Sequence, residues 1–188
     1  MPLIKPFAGL RPAPGRAADV AAPPYDVMST AEAREMVQGR PWSFLHISRP
    51  EVDLPTDTNP YAPEVYAKAR ANLDRMIAEG VLVRDQAPHY YVYRLTMGSH
   101  VQTGLVAAAS VAAYDAERIK KHEFTRPVKE DDRVRQIDAL NAQTGILRRE
   151  AGRSAATWIR CQISADGASA SEFVRTAATR PSSARASA

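Results

Sequence analysis

The feature that most constrains this chain is a pair of strand-like runs that meet at a tight turn. His89 to Met97 (HYYVYRLTM) and Val101 to Tyr114 (VQTGLVAAASVAAY) are rich in aromatic and β-branched residues and flank Gly98-Ser99-His100. That pattern predicts a long β-hairpin. The small residues Ala107 to Ala109, Ala112 and Ala113 mark a stretch against which another element packs closely. Helices are predicted around it. Ser29 with Glu32 forms a capping box, so a helix runs from 29 to about Gln38 and stops at Gly39 and Pro41. Pro63 suits a first helical position, and Val65, Ala69, Leu73, Met76 and Ile77 recur at helical spacing as far as Gly80. A third helix, 130–143, has acids in its first turn and the apolar stripe Val134, Ile137 and Leu140. Trp42 to Ser48 (WSFLHIS) and Val81 to Val83 read as short strands that join the hairpin sheet. The prolines between Ile4 and Pro24 predict an extended, loop-rich start. The fold class expected is α/β in the α+β sense: a mixed, largely antiparallel sheet, a long central hairpin and about three flanking helices.

Charge divides the chain at one point. Ile146 to Ala188 contain seven arginines, no lysine and only Glu150, Asp166 and Glu172 as acids, which accounts for the whole net charge of +4. Residues 1–145 are therefore balanced, and no overall field draws them onto DNA. Specific nucleic-acid binding is not expected. The same 43 residues hold 11 Ala and 7 Ser with no sustained apolar period. Such a segment buries too little surface to offset its ordering entropy. It reads as a disordered tail, or as the product of a shifted reading frame in a GC-rich gene. The domain expected is thus 1–145, with 146–188 outside it. The scattered apolar residues of that tail make no stable element, although they leave room for a short strand near Trp158.

No run of 18 apolar residues is present, so no membrane span is expected. The first ten residues lack an apolar core and do not read as a signal peptide. The lone Cys161 excludes an internal disulfide framework and a Cys-rich zinc site, and a reducing cytoplasm is the expected location.

The densest ionisable cluster is Lys120 to Pro127 (KKHEFTRP) followed by Lys129 to Arg133 (KEDDR). His122 and Glu123 offer an acid and a base, while Lys121, Lys129 and Arg133 offer cations for phosphate oxygens. Phosphoryl transfer requires that combination. The plainer reading is a solvated charged loop leading into a helix. Pro23-Pro24-Tyr25-Asp26 forms a second candidate, a stiff loop presenting the Asp26 carboxylate, or simply a turn into the capping box. His46 reads as a half-buried structural histidine, and Tyr90, Tyr91 and Tyr93 as sheet packing. Dinucleotide and P-loop phosphate motifs, HExxH, calcium loops and GxSxG are all absent, and no metal ligand set is assigned.

Taken together, Pro23 to Val27, Phe44-Leu45-His46, Tyr91 to Arg94, Gln102 to Leu105, Ile119 to Glu123 and Lys129 to Arg133 resemble the bacterial family known as domain of unknown function 1015. The resemblance runs from about Ile4 to Gly145. Its members are typically at least twice as long, and after Asn141 to Gly145 they continue with proline and an apolar strand. Here Ile146 to Glu150 depart from that pattern, which implies truncation with a shifted frame. A sheet face left uncovered by such truncation would lower solubility. Members are sometimes labelled similar to the ParB partition proteins, whose superfamily includes sulfiredoxins and free-serine kinases. The resemblance implies nucleotide binding, with Glu123 as base, Lys121, His122 and Arg133 around the phosphates, and a nucleoside triphosphate with magnesium as ligand. A kinase-like phosphotransferase acting on a small metabolite is the activity implied. A non-catalytic, DNA-associated module is the alternative.

Overall fold

The computed structural model describes residues 2–119, 126–145 and 159–161. In chain order the elements are β1 (Ile4–Lys5), β2 (Leu10–Pro12), α1 (Ala17–Val20), α2 (Thr30–Met36), α3 (Leu45–Ser48), a 3-10 turn (Pro50–Asp53), α4 (Pro63–Ala78), β3 (Leu82–Arg84), β4 (Tyr91–Met97), β5 (His100–Ala109), α5 (Val111–Asp115), α6 (Pro127–Leu140) and β6 (Ile159–Cys161). The fold is α+β with antiparallel sheets. The chain divides into two compact units, residues 8–89 and residues 1–7 with 90 onward.

In the 8–89 unit, β2 pairs antiparallel with β3, Arg11 opposite Val83. Arg11 Nε and Nη2 clasp the Asp85 carboxylate beside that pair. Helix α4 opens on Pro63 and buries Val65, Tyr66, Ala69, Asn72, Leu73 and Met76, whereas Ile77 of the predicted stripe is exposed. Helix α2 keeps its capping box. The Glu32 N–H donates to Ser29 Oγ at 3.3 Å and the Ser29 N–H donates to Glu32 Oε2 at 2.7 Å. Those bonds hold the Glu32 carboxyl below its usual range. Ser29→Ala is expected to destabilise this unit by about 1 kcal/mol in urea denaturation, the usual cost of a lost helix cap.

Two expected strands are corrected here. Residues 42–48 form turns and the helix α3, whose Arg49 N–H donates to the Leu45 carbonyl at 2.8 Å. Leu45, His46 and Ile47 are buried in succession, while Trp42, Phe44 and Ser48 are half-buried. Three buried residues in a row break the alternation of a half-buried strand, and β propensity yields to packing. The 81–83 strand forms one residue later, as β3, and pairs with β2. Neither segment joins the hairpin sheet.

In the other unit, β4 and β5 pair from Tyr91 opposite Val106 to Met97 opposite His100. The turn is thus two residues, Gly98-Ser99, with φ +59° at Gly98. Glycine first with positive φ matches the right-handed twist of the strands. β1 lies antiparallel along the alanine end of β5, Ile4 opposite Ala109, and β6 lies parallel to β5, Leu105 opposite Ile159. The small residues thus mark the end of β5 that takes two further neighbours. Phe7, Val106 and Ala108 form a buried cluster closed by Tyr91 and Tyr93. On the opposite face Val92 and Val101 stand exposed. Beyond Ala109 the expected strand becomes α5, because the Ser110 hydroxyl accepts the Ala113 N–H at 3.1 Å and caps a helix. Helix α6 starts at Pro127, three residues earlier than its acidic turn implied, since proline lacks only an N–H that a first turn leaves unused. It ends at Asn141, in the left-handed conformation with φ 46°. Apart from β6, residues 146–188 lie outside the described residues.

Candidate functional site

Helix α6 carries the described part of the charged cluster. Lys129 and Arg133 stand four residues apart and therefore on one face. Lys129 is exposed, as is Arg126 at the N-cap, whose own side chain makes no capping bond. Arg133 is engaged by its neighbour: Nη2 donates to Asp132 Oδ2 at 2.6 Å and Nε at 3.2 Å. Asp132 is only 8% exposed, so this carboxylate lies inside the fold with its partner guanidinium at the rim. Burial, and then the charge of Asp131, push the Glu130 carboxyl above its usual range. Lys121, His122 and Glu123 lie outside the described residues.

Asp26 belongs to the 8–89 unit, whereas Lys129 and Arg133 belong to the other. Asp26 is exposed on a turn, next to Val27, which is 68% exposed. What holds this loop is a residue the sequence reading missed. Arg49 Nη1 donates to the Tyr25 and Met28 carbonyls at 2.9 and 3.2 Å, and Nη2 donates to the Thr30 hydroxyl at 2.8 Å. Its Nε donates to Glu51 Oε1 at 2.7 Å. The Glu51 side chain is 7% exposed. Arg34, on α2, secures the far side of the same turn by donating to the carbonyls of Glu51, Val52, Leu54 and Pro55. Two guanidinium forks thus absorb backbone carbonyls that irregular chain would otherwise leave bare.

Beside them lies a buried polar trio. His46 Nδ1 is 2.8 Å from Asp53 Oδ1, and His46 Nε2 is 3.1 Å from the Arg40 carbonyl oxygen. Asn72 Nδ2 donates to Asp53 Oδ2 and to the His46 carbonyl, both at 2.7 Å. Burial raises the Asp53 carboxyl. The hydrogen bonds from His46 and Asn72, with the charges of His46 and Lys68, outweigh it and hold the group below its usual range. His46 is thus a structural histidine, as its sequence context implied, although it sits on a helix. Both ring nitrogens are occupied, which leaves neither open to a substrate.

Residues 4–147 match the family model described as protein of unknown function (DUF1015), and the chain belongs to that family. The match ends two residues past the point where the arginine-rich composition begins. Searches of curated proteins and of solved structures gave no match. No described helix is long and apolar enough to cross a membrane. Among the described residues no group of three or more His, Cys, Asp and Glu is placed to hold a metal ion.

Proposed function

We propose that the family domain binds a nucleoside triphosphate through its phosphates at the start of α6 and passes a phosphoryl group to a small hydroxylated metabolite. The observation that carries this reading is the start of α6, a 14-residue helix with Arg126 at its N-cap and Lys129 and Arg133 on its first turns. Helix N-termini favour anions through their N–H groups and dipole, and guanidinium forks match phosphate oxygens. The flanking Lys121, His122 and Glu123 add, on the family resemblance, further cations and a base. Magnesium would arrive with the nucleotide, taking phosphate oxygens and water as ligands. A cytoplasmic location fits both that ligand and the lone Cys161.

Calorimetric titration of ATP with magnesium, and of CTP with magnesium, into the full chain tests the reading. Lys129→Ala and Arg133→Ala are each expected to weaken binding about tenfold or more, the usual loss for one charge-assisted contact. No binding at nucleotide concentrations on the order of millimolar overturns it. DNA supplies the second arm. Salt-sensitive DNA binding that survives replacement of the seven arginines beyond Ile146 by glutamine would favour a partition-like module instead.

A further inference from the structure

The polar trio in the 8–89 unit has a proton requirement. The Arg40 carbonyl oxygen only accepts, so the His46 Nε2 contact needs a proton on that nitrogen. Asp53, held ionised by its surroundings, also only accepts, so the Nδ1 contact needs a proton as well. Both hydrogen bonds coexist only on the doubly protonated ring. When the ring gives up one proton, a nitrogen lone pair must face either the carboxylate or the carbonyl, and that contact opens. The nearby donors are committed elsewhere: the Arg40 guanidinium donates to the Ala18 and Ala21 carbonyls, and Asn72 is shared between Asp53 and the His46 carbonyl. Lys68, on α4, is the other cation acting on Asp53.

The place of the trio gives this requirement a consequence. Asp53 ends the 3-10 turn Pro50–Asp53, which also carries Glu51 and directly follows Arg49. Arg49 holds the Asp26 loop, and Glu51 fixes the Arg49 guanidinium. We propose that His46 and Asp53 form a proton-dependent latch on this turn, and that the latch sets how rigidly the Asp26 loop is held. The latch is closed when the ring carries two protons and the carboxylate none. It opens from the acid side as pH falls through the Asp53 titration, which lies below the ordinary carboxylate value of about 4. It opens from the alkaline side when the ring gives up its second proton, because one of the two contacts then lacks a hydrogen to donate.

Nitrogen NMR of the His46 ring in the full chain, joined to amide hydrogen exchange, tests the latch without any variant. With the latch closed, both ring nitrogens are expected to carry a proton. Across the pH at which the nitrogen spectrum shows the ring giving up its second proton, the Val27, Val52 and Leu54 amides are expected to lose about tenfold in protection beyond the change in intrinsic exchange rate, while amides within α4 hold theirs. His46→Gln, with one donor and no charge, is expected to abolish that loss. A ring that keeps one bare nitrogen at every pH where the Asp53 carboxylate is ionised overturns the latch, and so does protection that follows intrinsic exchange alone. Both of those results come from the unmodified chain, so the test stands even where His46→Gln does not fold.

Discussion

Arg49→Ala is expected to destabilise the 8–89 unit by about 3–5 kcal/mol, the range found when one partner of a buried ion pair is removed. The loss has two sources. Glu51, whose side chain is 7% exposed, keeps a buried carboxylate without its guanidinium. The Tyr25 and Met28 carbonyls and the Thr30 hydroxyl also lose their shared donor. Arg49→Lys should recover part of the stability and not all, because an ammonium keeps the charge and cannot span four acceptors in a fixed fork. Glu51→Gln placed on Arg49→Ala should be less harmful than Arg49→Ala alone, since it removes the stranded charge. Urea midpoints for the two single variants and the double variant give the coupling directly. A loss under about 1 kcal/mol for Arg49→Ala would mean that the loop is held by other contacts, as exposed ion pairs usually contribute no more than that.

Why Arg49 escaped the sequence reading is a matter of range. The capping box at Ser29, the proline opening α4 and the glycine at the β4–β5 turn are local devices. Their cause lies within four residues, so they can be read in a string. Arg49 gathers oxygens from residues 19 to 24 positions away, and nothing in Arg-Pro-Glu-Val-Asp marks it as other than a charged loop. The burial of Glu51 is equally silent, because carboxylates are almost never buried unless paired, and the pairing is tertiary. Residues 42–48 failed for the complementary reason: seven residues are too few to separate the two periodicities when three in a row are buried. Lys129 shares a helix face with Arg133 only because α6 begins at Pro127 and not at 130, and the engagement of Arg133 by Asp132 likewise appears only in three dimensions. Asp26 emerged as an exposed residue on a stiffened loop, with the stiffness supplied by Arg49 as well as by Pro23 and Pro24.

Phe7→Ala is expected to have a comparable effect on the other unit, where its consequence is larger relative to the core available. Phe7 comes from the proline-rich start of the chain, yet it is 5% exposed and lies against Val106 and Ala108. Its ring packs on Tyr91 with centroids 5.0 Å apart and planes tilted by 49°, an arrangement that favours both rings. The Tyr91 hydroxyl donates to the Phe7 carbonyl at 3.1 Å, which ties the backbone as well as the side chain to the hairpin. The small Ala108 leaves room beside this ring, so truncating it opens a cavity against Val106, Ala108 and Tyr91. Such a truncation costs about 3–5 kcal/mol, against a total stability of about 5–15 kcal/mol for a whole domain. A two-stranded hairpin is marginal without an apolar face to pack on, so β4 and β5 should open together. In hydrogen exchange, amides of 91–109 are expected to lose about a hundredfold or more in protection, while those of α4 change far less because their core lies within residues 8–89. Tyr91→Phe, which keeps the ring and drops only the hydroxyl, should cost about 1 kcal/mol and so separate the hydrogen bond from the packing. Equal loss of protection in β4 and α4 would show that the two cores melt as one, and would refute the assignment of Phe7 to a separate hairpin core.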